Sequence, residues 1–332
     1  MNYYRAIPMT DPARPAGAYV LAGGWCWFDR VEVLSRSAPP HVVAAGDVPA
    51  EVLARLTTPP APMAGLTFDA PRLMGILNVT PDSFSDGGRF IGTDAALAQV
   101  RVMADADILD IGGESTRPGA VLVDVATEIT RTAPVIAAIR AAGIAKPISI
   151  DTRKAGVVQA GGADIVNDVS ALTYDPDMAD VVAAAGCPII LMHAQGTPQT
   201  MQADPRYDDV LLDVYDWLAA RIAVAEGAGI ARNRIAIDPG IGFGKTVPHN
   251  LALLQRLSLF HSLGCPVLLG ASRKRFIGTI SRADAADARM PGSVAVALAG
   301  IAQGVQMIRV HDVSETRQAM RLWFAVTKGA AP

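Results

Sequence analysis

The chain has 332 residues, of which 51% are hydrophobic and 18% charged, and its formal net charge is −3. This balance excludes a disordered chain, and the absence of a basic run argues against affinity for nucleic acid or an anionic membrane surface. Three cysteines, Cys26, Cys187 and Cys265, form no CxxC pair, which argues against a disulfide framework or zinc site. The composition of residues 1–15 does not predict a signal peptide, and no apolar run of about 18 residues predicts a membrane span. We expect a globular, cytoplasmic protein.

The first 70 residues differ in pattern from the rest. Three short apolar runs predict strands, at 18–21, 25–28 and 31–34. Residues 48–56 predict a short helix that Asp47 could cap, and the Pro/Ala-rich residues 57–64 predict a linker. We therefore divide the chain into a β-containing N-terminal extension over 1–70, with Trp25 and Trp27 partly buried, and a second unit over 71–332.

From residue 72 onward one unit recurs: a short apolar run, a polar residue, a Gly/Pro loop and an Ala-rich helical pattern. The eight runs cover 73–77, 108–111, 148–150, 165–169, 188–192, 235–237, 267–269 and 307–310. Such uninterrupted runs are typical of strands buried on both faces of a parallel sheet, and helical patterns such as 95–103, 210–226 and 294–303 supply the crossovers. Eight units over about 260 residues predict a (β/α)₈ TIM barrel. An open doubly wound sheet is the alternative, although it usually has fewer strands.

Each run ends in polar or ionisable residues: Asn78, Asp110, Asp151, Asn167, His193, Asp238, Ser272 and the Arg309–His311 segment. In this fold the carboxyl ends of the strands carry the active site, so the pattern predicts a polar pocket. Asp151, Asn167 and Asp238 suit the donor–acceptor edge of a nitrogen heterocycle, although a single Asp could simply cap a helix. Lys274, Arg309 and His311 suit a phosphate or a developing anion.

Two loops, 78–88 and 112–119, have the composition of lids that exclude water. Surface turns would explain their glycines but not Phe84 and Arg117. Residues 272–275 precede a predicted helix and place backbone N–H groups where an anion could bind. Residues 244–246 resemble the end of a P-loop, but position 239 is Pro where the motif requires Gly. We therefore exclude a P-loop.

Five motifs in order carry a family resemblance, at 74–88, 110–119, 238–245, 272–274 and 309–313. They resemble the signatures of the dihydropteroate synthases, and the resemblance covers about residues 71 to 328. It implies a magnesium-dependent transferase of folate biosynthesis, a homodimer formed through outer helices late in the chain, and inhibition by sulfonamides. The implied reaction joins 6-hydroxymethyl-7,8-dihydropterin diphosphate to 4-aminobenzoate, giving 7,8-dihydropteroate and pyrophosphate.

The resemblance also implies a role for each matching residue. It assigns the pterin to Asp151, Asn167, Met192, Asp238 and Lys274. It assigns the diphosphate to Asn78, Arg309 and His311, with Mg²⁺ near Asn78 and Asp86. It assigns 4-aminobenzoate to Phe84, Thr116, Arg117, Pro118, Phe243, Ser272 and Arg275. The implied catalytic set is Asp86, Asp151, Asp238, Lys274, Arg309 and His311.

Two other functions remain open at this point. Methyltetrahydrofolate–corrinoid methyltransferases share the pterin-binding barrel, although we do not expect them to carry the loop with Phe84 or the Ser-Thr-Arg-Pro loop. A pterin-binding pseudoenzyme is the second, because the spacing from Asp151 to Asn167 is shorter than the family usually has. Pyrophosphate release that depends on 4-aminobenzoate would distinguish the three.

Overall fold

A computed structural model describes residues 1–79, 89–116 and 119–329, with the backbone alone at 89–91. The N-terminal extension contains five strands and one α-helix: β1 Asn2–Ala6, β2 Tyr19–Val20, β3 Trp27–Phe28, β4 Arg30–Ser35, β5 His41–Ala44 and α1 Ala50–Thr57. Strands β1, β4 and β5 form one antiparallel sheet, and β2 pairs with β3. The three predicted strands are confirmed, while β1 and β5 were not predicted.

The predicted cap of the first helix is wrong. Asp47 ends a 3₁₀ turn, Ala45–Asp47, and α1 begins after Pro49, whose side chain makes no capping hydrogen bond. Pro49 occupies the position before the helix with an extended backbone. Because Pro49 restricts the backbone there, the helix begins at Ala50, three residues beyond Asp47.

Eight parallel strands of the described residues form the central sheet: β6 Arg72–Asn78, β7 Ile108–Gly112, β8 Ile148–Asp151, β9 Ile165–Asp168, β10 Ile189–Met192, β11 Ile235–Asp238, β12 Leu268–Leu269 and β13 Met307–Val310. Their order is β11-β10-β9-β8-β7-β6-β13-β12. A parallel bridge between Ile237 and Val267 joins the two outermost strands. The predicted barrel is confirmed, and each predicted run overlaps one of its strands.

Helices surround the barrel in the described part of the chain: α2 Arg89–Val102, α3 Val125–Ala141, α4 Ala155–Gly161, α5 Met178–Ala185, α6 Val210–Gly227, α7 Val247–Gln255, α8 Arg275–Ser281, α9 Met290–Ile301 and α10 Val313–Lys328. Side-chain caps fix several starts, because Asp124 accepts from the Thr127 amide and Asp209 from the amides of Leu211 and Leu212. The short spacing after Asp151 produces α4, with only seven residues. Within the described ranges no helix is long and apolar enough to cross a membrane.

The N-terminal ends of the barrel strands surround a separate apolar cluster. It contains Met74, Ile108, Ile165, Ile190, Ala236, Leu268 and Met307, together with Met63 and Phe68 from the segment before the barrel. Met63 and Leu66 exchange two backbone hydrogen bonds of 2.9 Å, which form a tight turn just before Phe68. Met63, near the end of the predicted linker, and Phe68 therefore form a plug that closes one end of the barrel.

The N-terminal extension packs on the outer helices. Trp25 donates from Nε1 to the Ile301 carbonyl at 2.7 Å, and its ring meets Phe324 edge-on at 5.9 Å. Tyr3 donates to Asp216 of α6 at 2.9 Å. Trp25 and Trp27 are 9% and 6% exposed, so both are more deeply buried than predicted.

Candidate active site

An arginine joins two acidic strand ends across the mouth of the barrel. Arg309 of β13 donates from Nε to Asp110 Oδ2 at 2.6 Å and from Nη2 to Asp151 Oδ2 at 2.7 Å. These contacts form because β13, β6, β7 and β8 are neighbours in the sheet. Two buried carboxylates this close would repel each other, so the guanidinium is what allows both to lie there.

Asp151 retains unused hydrogen-bonding capacity. Its Oδ1 is buried, with no hydrogen-bond partner among the described residues. Burial raises the pKa of Asp151 to about 7, Arg309 opposes the shift, and Asp110 adds to it. Beside it, the Asn167 amide lies 3.4 Å from Asp110 Oδ2. Because an unpaired buried oxygen is costly, this position suits a ligand that brings a donor.

Asp238 and Lys274 form a second acid–base pair. Asp238 accepts from the Gly240 amide at 2.7 Å. Burial raises the pKa of Asp238, and the charge of Lys274 opposes that shift. Burial has the opposite effect on the ammonium group and lowers the pKa of Lys274 to about 8, although the charge of Asp238 opposes this shift. Lys274 therefore keeps its positive charge at neutral pH.

The loop after β11 is built against the stem of Lys274. The ammonium group donates to the Ile241 carbonyl and lies 4.4 Å from the centre of the Phe243 ring. Gly242 has φ +84°, and a Cβ there would stand 3.0 Å from Lys274 Cδ. Met192 lies buried below this loop, with its Cγ 3.4 Å from the position of a Cβ on Gly240. The structure thus brings Met192, Phe243 and Lys274 to the same side of the mouth.

The segments after β12 and β13 are tied together. Ser272 Oγ accepts from the His311 amide at 3.2 Å and lies 3.0 Å from His311 Nδ1. Arg273 adopts φ +56° and contacts Asp312 through Nε at 3.0 Å. Arg275 is exposed and is the first residue of α8, so the helix begins one residue earlier than predicted.

The ends of β6 and β7 complete the described part of the site. A Cβ on Gly112 would stand 3.6 Å from both Asn78 Oδ1 and Asp151 Oδ2, so these two oxygens flank one spot. Thr116 is half-buried in the loop after β7. Four predicted residues lie outside the described residues: Phe84, Asp86, Arg117 and Pro118.

His193 does not contribute its ring to the pocket that the sequence predicted. Its Nδ1 lies 2.9 Å from Lys245 Nζ, and its ring meets Trp217 of α6 edge-on at 4.9 Å. Burial, together with the nearby Lys245, lowers the pKa of His193 to about 2. His193 directly follows Met192, and successive residues of an extended chain point to opposite faces, so its ring is turned toward the helices.

Lys245 and Asp110 also organise the site, and neither was predicted in that role. Lys245 is buried and donates to the carbonyls of Gly240 at 2.9 Å and Phe243 at 3.0 Å, which folds the loop after β11 around its ammonium group. A lysine inside an apolar, glycine-rich segment was the available signal. Asp110 was recognised only as a strand end, because its contacts with Arg309 and Asn167 depend on the closed barrel.

Comparison with known proteins gives a consistent result. A model of the family described as pterin binding enzyme matches residues 74–311. The dihydropteroate synthase of Escherichia coli strain K12 is 46% identical over 262 residues, which are 77% of this chain and 92% of the relative. The similarity thus spans almost the whole length of that enzyme and about three quarters of this chain.

Solved structures agree with the sequence match. The Xanthomonas albilineans dihydropteroate synthase with 4-aminobenzoic acid has a TM-score of 0.74 and 46% identity, covering 80% of this chain and 97% of that one. The Yersinia pestis dihydropteroate synthase in complex with a sulfonamide drug has a TM-score of 0.75 and 43% identity, covering 80% and 98%. The chain therefore belongs to the dihydropteroate synthases, a family of pterin-binding transferases in folate biosynthesis.

Proposed function

We propose that this chain condenses 6-hydroxymethyl-7,8-dihydropterin diphosphate with 4-aminobenzoate at the mouth of the barrel, releasing pyrophosphate. The observation that carries the proposal is the set of buried acidic and half-buried basic groups there: Asp110, Asp151 and Asp238 with Arg309 and Lys274. A substrate with a polar heterocycle and an anionic leaving group needs both kinds of group within a few ångströms.

The acceptor-rich part of the site binds the pterin ring. Asp151 offers the buried Oδ1 without a partner in the described residues, which suits a ring N–H donor. Asn167 and Asp238 supply further acceptors, Lys274 donates to the ring, and Met192 packs against it. This division follows the side chains available at the ends of β8, β9 and β11.

The diphosphate lies toward Arg309, His311 and Asn78. The guanidinium supplies charge-assisted donors, which match phosphate oxygens in geometry. The residues also fit Mg²⁺, because the Asn78 amide oxygen is a hard oxygen ligand close to the mouth and Mg²⁺ is commonly held by few protein oxygens plus substrate phosphates. Asn78 and Asp86 would hold the ion, which would neutralise charge on the departing pyrophosphate.

4-Aminobenzoate binds between the loop that carries Thr116, Arg117 and Pro118 and the side formed by Phe243 and Lys274, with Phe84 from the first loop. Ser272 and Arg275 lie toward its carboxylate. Supporting this assignment, Phe243 offers a ring face beside a fixed cation. We expect sulfonamides, which mimic 4-aminobenzoate, to compete for this position.

The reaction follows from the charges. The C–O bond breaks with its electron pair leaving on pyrophosphate, and positive charge develops on the exocyclic methylene carbon of the pterin. Asp151 and Asp238 stabilise that charge, while Arg309 and His311 stabilise the leaving group. The amine of 4-aminobenzoate then attacks the carbon and loses a proton, so the protein supplies no nucleophile. Excluding water protects the cation from hydrolysis.

A pyrophosphate-release assay tests the proposal, using the pterin diphosphate with and without 4-aminobenzoate. We expect release that depends on 4-aminobenzoate and yields dihydropteroate. A pseudoenzyme would bind the pterin without release, and a corrinoid methyltransferase would instead transfer a methyl group from methyltetrahydrofolate. The synthase relatives favour the first outcome.

We extend the proposal to a cytoplasmic homodimer. Three large apolar side chains on late outer helices are exposed: Ile280, Leu322 and Val326, at 55%, 65% and 78%. Ile280 lies on α8 and the other two on α10, and both helices pack on α9, so such exposure suits a protein–protein contact. All three cysteines are free thiols, as a reducing compartment favours. Light scattering should give twice the chain mass of 34.7 kDa.

A further inference from the structure

A buried cluster of charged residues lies beside the site and takes no part in the proposed chemistry. Lys154 Nζ lies 3.0 Å from Glu114 Oε2 and also contacts Glu128, and the three side chains are 4%, 2% and 0% exposed. Arg153 Nε donates to the same Glu114 oxygen at 3.0 Å. Burying this many charges is costly unless each is held by a partner in good geometry. The cluster therefore requires its members to stay together.

Glu114 uses its other oxygen to close a loop. Oε1 accepts from the Val123 amide at 2.9 Å, so one carboxylate joins the two ends of the segment 115–122, which contains Thr116. Arg131 also donates to the Gly113 carbonyl at 2.8 Å and fixes the residue before Glu114. A Cβ on Gly113 would lie 2.8 Å from Thr132, so the backbone there is packed directly against α3.

The same cluster reaches the pterin side of the site. Arg153 and Lys154 follow Asp151, the last residue of β8, and directly precede α4. Although burial raises the pKa of Glu114, the hydrogen bonds from Arg153, Val123 and Lys154 outweigh it and hold the pKa below its ordinary value. These donors thus favour the ionised form of Glu114, which lies between the strand end with Asp151 and the loop with Thr116.

We infer that Glu114 is a positioning residue for 4-aminobenzoate, because it fixes the Thr116 loop relative to the strand end that binds the pterin. This inference rests on the proposed function. Glu114 itself touches neither substrate in the proposed arrangement. A displaced loop would therefore weaken binding of 4-aminobenzoate and leave the binding of the pterin diphosphate almost unchanged.

The test compares Glu114→Gln with Glu128→Gln in the full chain. Glu114→Gln can still accept from the Val123 amide but loses the charge that holds Arg153 and Lys154. We expect its KM for 4-aminobenzoate to rise about tenfold, with KM for the pterin diphosphate changed less than about twofold. Glu128→Gln is the matched control, because Glu128 contacts the same Lys154 from α3 and does not join the ends of the loop. It should lower the melting temperature without the change in KM.

Three results separate the possible failures. If the unchanged protein releases no pyrophosphate, the proposed function is wrong and this inference falls with it. If the unchanged protein is active and neither variant changes the ratio of KM for 4-aminobenzoate to KM for the pterin diphosphate, the positioning role is overturned. The proposed function then stands. If Glu114→Gln does not fold, Arg153→Gln replaces it, since that variant keeps the Lys154 contact. A rise of about threefold in KM for 4-aminobenzoate then supports the role, and an unchanged KM rejects it.

Discussion

The two ends of the barrel are built on the same eight strands from opposite chemistry. At the N-terminal ends, Met63 and Phe68 plug the barrel, where they lie 2% and 4% exposed among apolar strand residues. At the C-terminal ends, Arg309 holds two carboxylates together and Lys274 faces Asp238. Burial stabilises the first arrangement and costs free energy in the second.

The apolar end of the barrel contributes to stability, whereas the charged end carries the groups for the reaction. The apolar plug gains free energy from each methylene group removed from water. The charged mouth stays assembled because each group offsets a neighbour, and burial moves the pKa values of Asp151 and Lys274 to about 7 and about 8. Substitutions at the two ends should therefore change different measured quantities.

The largest expected effect is at the mouth. Lys274→Ala should lower kcat/KM about 10³-fold and abolish detectable pterin binding, because it removes the donor beside Asp238. Calorimetric titration with the pterin diphosphate measures the binding. Lys146→Ala is the matched control: Lys146 is half-buried two residues before β8, at the opposite end of the barrel, and donates to the Ala106 carbonyl. Retained pterin affinity in Lys274→Ala would contradict the assignment.

The next effect is at the plug. Phe68→Ala should lower the free energy of unfolding by about 3 kcal/mol, because it leaves a cavity among apolar residues. The kcat/KM of the folded variant should stay within about twofold of the original, since the plug lies at the far end of the strands. Urea denaturation and steady-state kinetics at low temperature measure the two quantities. Catalytic loss in a fully folded sample would show that the two ends are coupled.

The sequence predicts the barrel well because its signals are local. A strand buried on both faces is an uninterrupted apolar run, and the residue after it falls at the mouth whatever the loop does next. Asn78, Asp151, Asn167 and Asp238 could therefore be placed by position alone. The strands β1 and β5 were missed because Asn2–Ala6 and His41–Ala44 mix polar and apolar residues without a clear alternation.

Contacts between distant segments were beyond the sequence. The pairing of His193 with Lys245 joins the loops after β10 and β11, and no local pattern encodes it. The same holds for Arg309, which was assigned to the diphosphate while its two carboxylate partners were not foreseen. The Pro/Ala-rich segment gave no sign that Met63 within it and Phe68 after it would plug the barrel, because that depends on an apolar opening formed by all eight strands.

A smaller effect concerns pH. We expect kcat/KM to rise with pH through about 7, because Asp151 must be ionised to stabilise the cationic pterin, and to fall above about 8, as Lys274 loses its proton. Below about pH 7 and above about pH 8, kcat/KM should change by nearly tenfold per pH unit. Rates in a mixed buffer of constant ionic strength from pH 5 to pH 10 measure this profile.

Phe68→Leu should keep the same pH profile, since it changes the plug and no titrating group. Asp151→Asn should lose the rising limb along with most of the activity. A rising limb that persists in Asp151→Asn would assign the lower pKa to another group, most directly Asp238, whose pKa burial also raises.

The smallest effect tests whether the N-terminal extension acts with the plug or with the mouth. Trp25→Phe removes the 2.7 Å hydrogen bond to the Ile301 carbonyl but keeps an aromatic ring near Phe324. The carbonyl still accepts from the Gly304 amide at 3.0 Å, so it is not left unpaired. The free energy of unfolding should therefore fall by only about 1 kcal/mol, with kcat and both KM values unchanged. A change in either KM at equal stability would mean that the extension reaches the mouth through α9, and the division between the two ends would then have to include it.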